Sequence, residues 1–472
     1  MNKTHKLALV ATFVGLAATG CNSFLTGDCI SNSCNQPTSA TSDQLFIGVQ
    51  VGLMGNFETY PMNLLPLWAQ QIAGVNRQWA SYSNYGSGTD DLTSDALWIG
   101  LYASGGLADI RAGEAEATNA GNMKAVGQFQ VIKAISMGFT TDLWGDVPFS
   151  DAGSPFPTFD LQADVYTHIQ ALLDSAITNL GGSGGGNAVD FYFANDFSKW
   201  IATAHTLKAR YYMHTAENGD LSYDNTKLNS VLTETALGIS GTDGDFTAVH
   251  STTTFEQNLF QQFLIGSRSG DVEPASLHIN LAKQFNDNVL LAQLYNKNSS
   301  GQYLGSPAGV SAGSNVSTFA IQGDYRQLFV SYAENLLLSA EANYRLTQLG
   351  PALADLTLER TAYEGSAAGA PVVPGGTNGL LVGILQEKFV RLFLSPEVYF
   401  DYLRTCVLNV ALPTNHTGGF QYVPARLPYS FTEQTTNTAN TPADPKANAV
   451  WPKHPTDPAG QPCSGQKDRP GV

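Results

Sequence analysis

The apolar residues between Met123 and Asp151 point in nearly every direction. On a helical wheel Met123, Val126, Phe129, Val131, Ile132, Ala134, Ile135 and Phe139 leave no polar face, the pattern of a helix enclosed by other helices. The helix gives way to Asp142-Leu143-Trp144-Gly145-Asp146-Val147-Pro148-Phe149, where Gly145 and Pro148 stop further winding. A buried helix therefore delivers a rigid aromatic and acidic loop. After Pro157-Thr158-Phe159-Asp160 comes a different pattern: Val165, Tyr166, Ile169, Leu172, Leu173, Ala176, Ile177 and Leu180 fall within an arc of about 140°. Asp164, His168, Asp174 and Thr178 lie opposite, so this helix packs on one side and is wet on the other.

The same period recurs along the chain. Phe46, Val49, Leu53 and Phe57 predict a helix over Leu45 to Tyr60. Asp196 or Ser198 is placed to cap a helix whose Trp200, Ala204, Leu207 and Tyr211 face inward, with Lys208 and Arg210 set to reach nearby carboxylates. From Tyr325 onward, Phe329, Tyr332, Ala333, Leu336, Leu337, Ala340 and Tyr344 share a face. Gly350-Pro351 ends that helix and opens the next, with Leu353, Leu356 and Tyr363 inward, giving a hairpin of tetratricopeptide size. A second pair, Leu380 to Phe393 and Glu397 to Thr405, follows the Gly/Pro-rich loop at 370–379. These periods predict an all-α fold.

Between these helices the regularity fades. Residues 217–322 carry Gly, Ser, Asn and Asp patches and read as long loops with a helix at Ala275 to Tyr295. Such a loop-rich region on a helical frame is where specificity is built. Residues 406–472, rich in Pro, Asn and Thr, read as extended chain over the surface. The domain expectation is a signal peptide at 1–20, a tether at 21–44, an N-terminal helical scaffold at 45–216, the insertion at 217–322, C-terminal hairpins at 323–405 and the tail at 406–472.

Candidate ligand chemistry lies on aromatics. Arg77 to Gly88 reads as a loop and carries Trp79, Tyr82 and Tyr85. Rings on a loop either stack on sugar faces or peptide side chains, or cap the core beneath. Trp98, in Trp98-Ile99-x-Leu101-Tyr102, reads instead as helical and buried. The Gly181 to Gly186 run lacks the Lys-Ser/Thr of a phosphate-binding loop. Asp243-Gly244-Asp245 falls short of a calcium ligand set. Of the carboxylates open to hydrolytic chemistry, Asp90, Asp91, Asp95 and Asp146 sit in no recognisable arrangement, and the eight histidines form no catalytic motif. Neither a metal nor a cofactor is expected.

Composition adds compartment and partner class. A formal charge of −16, without a basic cluster, argues against nucleic acid. Lys3 and Lys6, the apolar run Leu7 to Ala18, and Ala18-Thr19-Gly20-Cys21 form a lipoprotein signal, with Cys21 as the acylated residue and lipid as the membrane attachment. Cys29, Cys34, Cys406 and Cys463 remain, an even number in a disulfide-permissive compartment. Cys29 with Cys34 and Cys406 with Cys463 is one plausible arrangement among three, and none has zinc-ligand spacing.

Six stretches in order resemble the RagB/SusD family of outer-membrane nutrient-binding lipoproteins. They are Trp144-Gly-Asp146-Val-Pro148-Phe-Ser150; Phe159-Asp160-x-Gln162-x-x-Val-Tyr166; Asp190 to Tyr211; Tyr332-Ala-Glu334 through Ala342; Gln386-Glu-Lys388-Phe to Tyr402-Leu-Arg404-Thr405; and Pro424-Ala-Arg426-Leu-Pro428-Tyr429 with Glu433 and Asn437. The chain departs from the pattern at Asn286-Asp287-Asn288-Val289, where the subgroup often has Asp-Pro-Arg, and in its single Arg404 before Thr405. The resemblance implies tetratricopeptide-like hairpins forming a curved scaffold that carries a ligand-facing irregular region. It also implies a cell-surface lipoprotein that is no enzyme, passing oligosaccharides or peptides to a TonB-dependent, SusC-like outer-membrane barrel. Trp144, Asp146, Trp200 and Arg404 then belong to the framework. A helical glycoside hydrolase and a tetratricopeptide adaptor are the alternatives.

Overall fold

The structure, a computed structural model, describes residues 40–442 apart from 85–90, 104, 219–221, 267, 366–367, 377, 409, 411–412, 414–422 and 424–425. The first helices are α1 (Ser42–Glu58), α2 (Tyr60–Trp68), α3 (Arg77–Ser83), α4 (Asp91–Tyr102), α5 (Leu107–Asn119), α6 (Met123–Trp144), α7 (Gln162–Leu180) and α8 (Phe197–His214). Then come α9 (Asn225–Thr235), α10 (Leu259–Ile265), α11 (Ser276–Phe285), α12 (Asn288–Leu294), α13 (Tyr332–Arg345), α14 (Leu349–Glu364), α15 (Gly379–Arg391), α16 (Glu397–Thr405) and α17 (Phe431–Thr436). Three antiparallel strand pairs stitch distant loops: β1 (Ile72–Gly74) with β3 (Val272–Pro274), β2 (Phe246–Thr247) with β6 (Leu328–Val330), and β4 (Tyr295–Asn296) with β5 (Thr318–Phe319).

Helix α6 is the centre of the fold, and its all-round apolarity has the expected cause. Eighteen of its 22 residues are buried, because α1, α4, α5, α7 and α8 all pack against it. Each large side chain so enclosed contributes ~1.5–3 kcal/mol. Gly138 lets α8 approach closely: a Cβ there would lie 2.1 Å from Tyr211 Oη, which donates instead to Ala134 O at 3.1 Å. Helix α7 buries Val165, Tyr166, Ile169, Leu173, Ala176 and Leu180 as its arc requires. Asp196 caps α8 by accepting from Ser198 N, and Trp200, Ala204, Leu207 and Tyr211 face inward.

Two buried ionic networks join the hairpins. In the first, Lys208 reaches Asp174 and Glu234, both at 2.6 Å, and Arg210 reaches Glu334 at 2.5 Å and Glu397 at 3.5 Å. His214 lies between Asp142 (3.0 Å) and Glu397 (2.8 Å), Lys388 meets Asp401 (2.7 Å), and Arg404 with Arg345 clasps Glu341 (2.6 and 2.7 Å). In the second, Arg360 and Arg391 share Asp287, Glu359, Glu364 and Glu387. Arg404 is thus structural, tying α16 to α13.

Several expectations are corrected. The helix read over Ala275 to Tyr295 is two helices, α11 and α12, broken at Asn286 with φ +61°. The stretch 217–322 also forms α9 and α10. In α14 the inward face is Ala352, Leu356 and Glu359; Leu353 is 41% exposed, one position out of phase. The tail does not simply lie over the surface. Leu427 and Tyr429 are buried, Trp144 Nε1 donates to Pro428 O (2.8 Å), Leu427 N to Leu143 O (2.9 Å), and residues 431–436 form α17. Cys406 is disulfide-bonded; its pairing, like Cys21, Cys29, Cys34 and Cys463, falls outside the described residues. Among the described residues no helix is long and apolar enough to cross a membrane.

Candidate functional site

The loop delivered by α6 is rigid for identifiable reasons. Val147 and Asp160 exchange backbone hydrogen bonds at 3.1 and 3.0 Å. The Asp160 carboxylate accepts from Phe149 N (2.8 Å), Ser150 N (2.9 Å) and Ser150 Oγ (2.5 Å). Burial favours its neutral form, but those hydrogen bonds win and hold its carboxyl below the usual range. Asp146 accepts from Gln162 N at 2.9 Å, fixing the start of α7. Asp95 on α4 accepts from Ser430 Oγ, from Thr432 N (2.9 Å) and from Thr432 Oγ1 (3.0 Å). Against the effect of its burial, these bonds lower its pKa and bind α17 to α4.

These ties frame a cleft of about 250 Å³ between α4, the start of α5, the 148–157 turn and α17. Trp98, Tyr102, Leu107 and Pro155 supply its apolar lining, with Arg111 and Glu433 as its charged groups. Trp98 is 4% exposed, edge-on to Trp144 at 5.1 Å. Tyr102 Oη donates to Pro148 O at 2.9 Å, and burial raises its pKa well above that of a free phenol. Gly153, at φ +98°, gives the guanidinium its place: a Cβ there would lie 2.2 Å from Arg111 Nη1. Arg111 is exposed and among the described residues makes no ion pair or hydrogen bond. Glu433 accepts from Asn437 Nδ2 at 2.7 Å through one carboxylate oxygen. Rigid apolar walls beside a guanidinium and a carboxylate suit a hydroxyl-rich ligand with an apolar face.

The aromatic trio is placed differently. Trp79 and Tyr82 lie on α3 rather than a loop, because Asn76 caps Arg77 N and the i, i+3, i+4 positions 79, 82 and 83 turn inward. Trp79 is 2% and Tyr82 8% exposed; the Trp79 ring packs edge-on to Phe263 at 4.9 Å and to Tyr82 at 5.6 Å. Both cap the core. Tyr85 lies outside the described residues, as does Asp90. Trp98 is helical and buried, as expected. Asp243 pairs with Lys199 at 3.0 Å, and Asp245 accepts from Tyr332 N at 2.7 Å and from Tyr363 Oη. Among the described residues no three His, Cys, Asp or Glu side chains form a metal-binding group. Arg111 and Gly153 carry no sequence mark of this cleft beyond the Gly153-Ser154-Pro155 turn.

The fold and the motifs have known counterparts. A SusD/RagB family protein of Bacteroides thetaiotaomicron superposes with a TM-score of 0.70 at 20% identity, covering 90% of this chain and 98% of that one. A chitin-binding protein gives 0.67 at 22% identity over 84% and 94%. A chitin-binding SusD homologue of Flavobacterium johnsoniae gives 0.67 at 17% over 83% and 94%. No curated protein matches the chain. The family profile described as starch-binding and associating with the outer membrane matches residues 34–348. With about two thirds of its length matched, the chain belongs to the SusD-like family.

Proposed function

We propose that the protein is a lipid-anchored, cell-surface glycan-binding protein that passes oligosaccharides to a TonB-dependent, SusC-like barrel. The observation that supports it most is the cleft, where Trp98, Tyr102 and Pro155 stand beside the exposed Arg111 guanidinium, which makes no ion pair among the described residues. A pyranose has the complementary surface: C–H groups for the Tyr102 and Pro155 walls, hydroxyls for the guanidinium and the Glu433 carboxylate. About 250 Å³ is below the ~300–1,000 Å³ of drug-sized sites, so the cleft suits a sugar unit or two with the rest of the chain outside. The chitin-binding structural neighbours and the starch-binding family description favour glycan over peptide. The engagement of Asp95 and Asp146 in holding α17 and α7 favours binding over hydrolysis.

In this reading residues 1–20 direct export, Cys21 carries the lipid and residues 21–44 space the fold from the membrane. The helical scaffold at 45–216, the insertion at 217–322 and the hairpins at 323–405 are its working parts, and Cys406 anchors the tail at 406–472. Of the aromatic trio, Tyr85 keeps its proposed role as a ligand-stacking residue, because Trp79 and Tyr82 are buried.

Affinity electrophoresis through gels containing glycol chitin or soluble starch tests the binding claim. Arg111→Ala and Glu433→Gln are expected to weaken retention at least tenfold, a loss of about 1.4 kcal/mol or more, with an unchanged melting temperature. Wild-type protein that runs unretarded in both gels and in a wider polysaccharide panel would overturn it. For the transport half, purification of the lipidated protein from its native outer membrane is expected to recover a TonB-dependent barrel in near-equal amount; recovery alone would remove that half.

A further inference from the structure

Residues 250–258 form a turn that is closed on itself and tied down at its base. Ser251 N donates to Glu256 O (3.1 Å), Glu256 N to Thr253 O (3.0 Å), Thr253 N to Ser251 Oγ (3.0 Å) and Ser251 Oγ to Glu256 Oε2 (2.6 Å). Below it, the buried carboxylate of Glu58 at the end of α1 meets His250 Nε2 at 2.7 Å and accepts from Asn258 Nδ2 at 3.1 Å. At the tip is Phe255, with φ +74° and 90% of its surface exposed.

That combination gives the fold nothing. A bulky L-residue in the left-handed region strains the backbone, and a ring open to water returns no burial. Among the described residues the Phe255 ring packs on no other ring. Thr252, Thr253, Thr254 and Glu256 around it are all exposed. A turn that inserts into lipid would surround such a ring with further apolar and basic residues; this one surrounds it with hydroxyls and a carboxylate. A flat apolar face ringed by hydrogen-bonding groups, on a pinned turn, matches the face and edge of a sugar ring.

We infer that Phe255 is a second sugar-stacking point, separate from the cleft, an inference that rests on the glycan-binding reading. The turn presents the ring at little entropic loss on binding, because its backbone is already ordered. A second contact on the same chain of sugars raises affinity for polymer more than for short oligosaccharides.

The test compares Phe255→Ala, Phe255→Gly and Phe255→Trp with wild type in glycol chitin and soluble starch gels, beside melting temperatures. Alanine and glycine are expected to weaken retention at least fivefold, tryptophan to preserve it, and glycine to raise the melting temperature by relieving the backbone. Wild type retained together with equally retained alanine and glycine variants would overturn this inference and leave the glycan reading standing. A melting temperature lowered by several degrees in the alanine and glycine variants would assign the ring to the fold and overturn it too. Wild type that neither polymer retains would overturn both.

Discussion

Glu341→Gln is expected to destabilise the protein by about 3–5 kcal/mol, while Glu387→Gln, at an equally buried position, is expected to cost under about 1 kcal/mol. Glu341 accepts from Arg404 Nη1 (2.6 Å), Arg404 Nη2 (2.7 Å) and Arg345 Nε (2.7 Å). Burial pushes its pKa up, but the two guanidiniums outweigh burial and hold the carboxyl well below the usual range. It is a full anion between two cations, and an amide in its place takes the carboxylate from Arg345 and one of two from Arg404, which keeps only Asp401 at 2.8 Å. Glu387 sits in the other network, where four carboxylates, Asp287, Glu359, Glu364 and Glu387, share Arg360 and Arg391. Burial first, and then the charges of Glu359 and Asp287, raise the Glu387 pKa well above the usual range despite both arginines. The shift favours its neutral form, and glutamine then replaces a neutral acid with a neutral amide of the same shape. Urea midpoints of the two variants at pH 7 measure the contrast. Equal losses would mean that Glu387 is ionised and the surplus of carboxylates is relieved in some other way.

The same contrast between local and distant causes governs what the sequence makes readable. The enclosure of α6, the single wet face of α7, the inward face of α8 and the hairpin of α13 with α14 follow from apolar spacing within one segment, and all four are present. Lys208 and Arg210 were legible as cations on a largely apolar helix, which need carboxylates wherever those come from. What was not legible depends on partners far away in sequence. The seven residues of α3 look like a loop because Asn76, Ser81, Ser83 and Asn84 carry turn chemistry, yet Trp79 finds Phe263 and the segment winds around that contact. The tail reads as extended chain because its composition is poor in helix formers, yet Trp144 and Leu143 receive Pro428 and Leu427. Asn286 breaks a continuous apolar period by taking a left-handed conformation that its side chain tolerates. The cleft is the extreme case. Arg111, Gly153 and Glu433 come from three segments with no shared motif, and only the fold brings them together.

Between pH 7 and about 9 His214 is expected to contribute a fall of about 1.4 kcal/mol per pH unit to the unfolding free energy, beside what His250 and Glu387, whose pKa values are also raised, contribute. Its Nδ1 faces Asp142 Oδ1 at 3.0 Å and its Nε2 faces Glu397 Oε1 at 2.8 Å, so both ring nitrogens donate and the ring is an imidazolium. Burial acts to lower its pKa, but the charges of Glu397 and then Asp142 prevail and raise it to about 10. The folded state then keeps a proton that the unfolded chain, with a histidine pKa of ~6.5, releases. Its stabilisation is complete below about pH 6.5 and is lost as the pH rises through about 10. Two other buried groups titrate lower. His278, lowered to about 4 by burial, loses stability on the acid side, and burial raises Asp245 to about 7, so its effect is nearly complete before the window opens. His214→Gln keeps a donor to one carboxylate and removes the titration. It should lower stability at pH 7 by several kcal/mol and make the slope above pH 7 shallower by about 1.4 kcal/mol per pH unit. Calorimetry at pH 8 in buffers of different ionisation enthalpy should count close to one more proton released on unfolding wild type than the variant. Parallel slopes and equal proton counts would mean that the ring is neutral, and that Asp142 or Glu397 carries the proton instead.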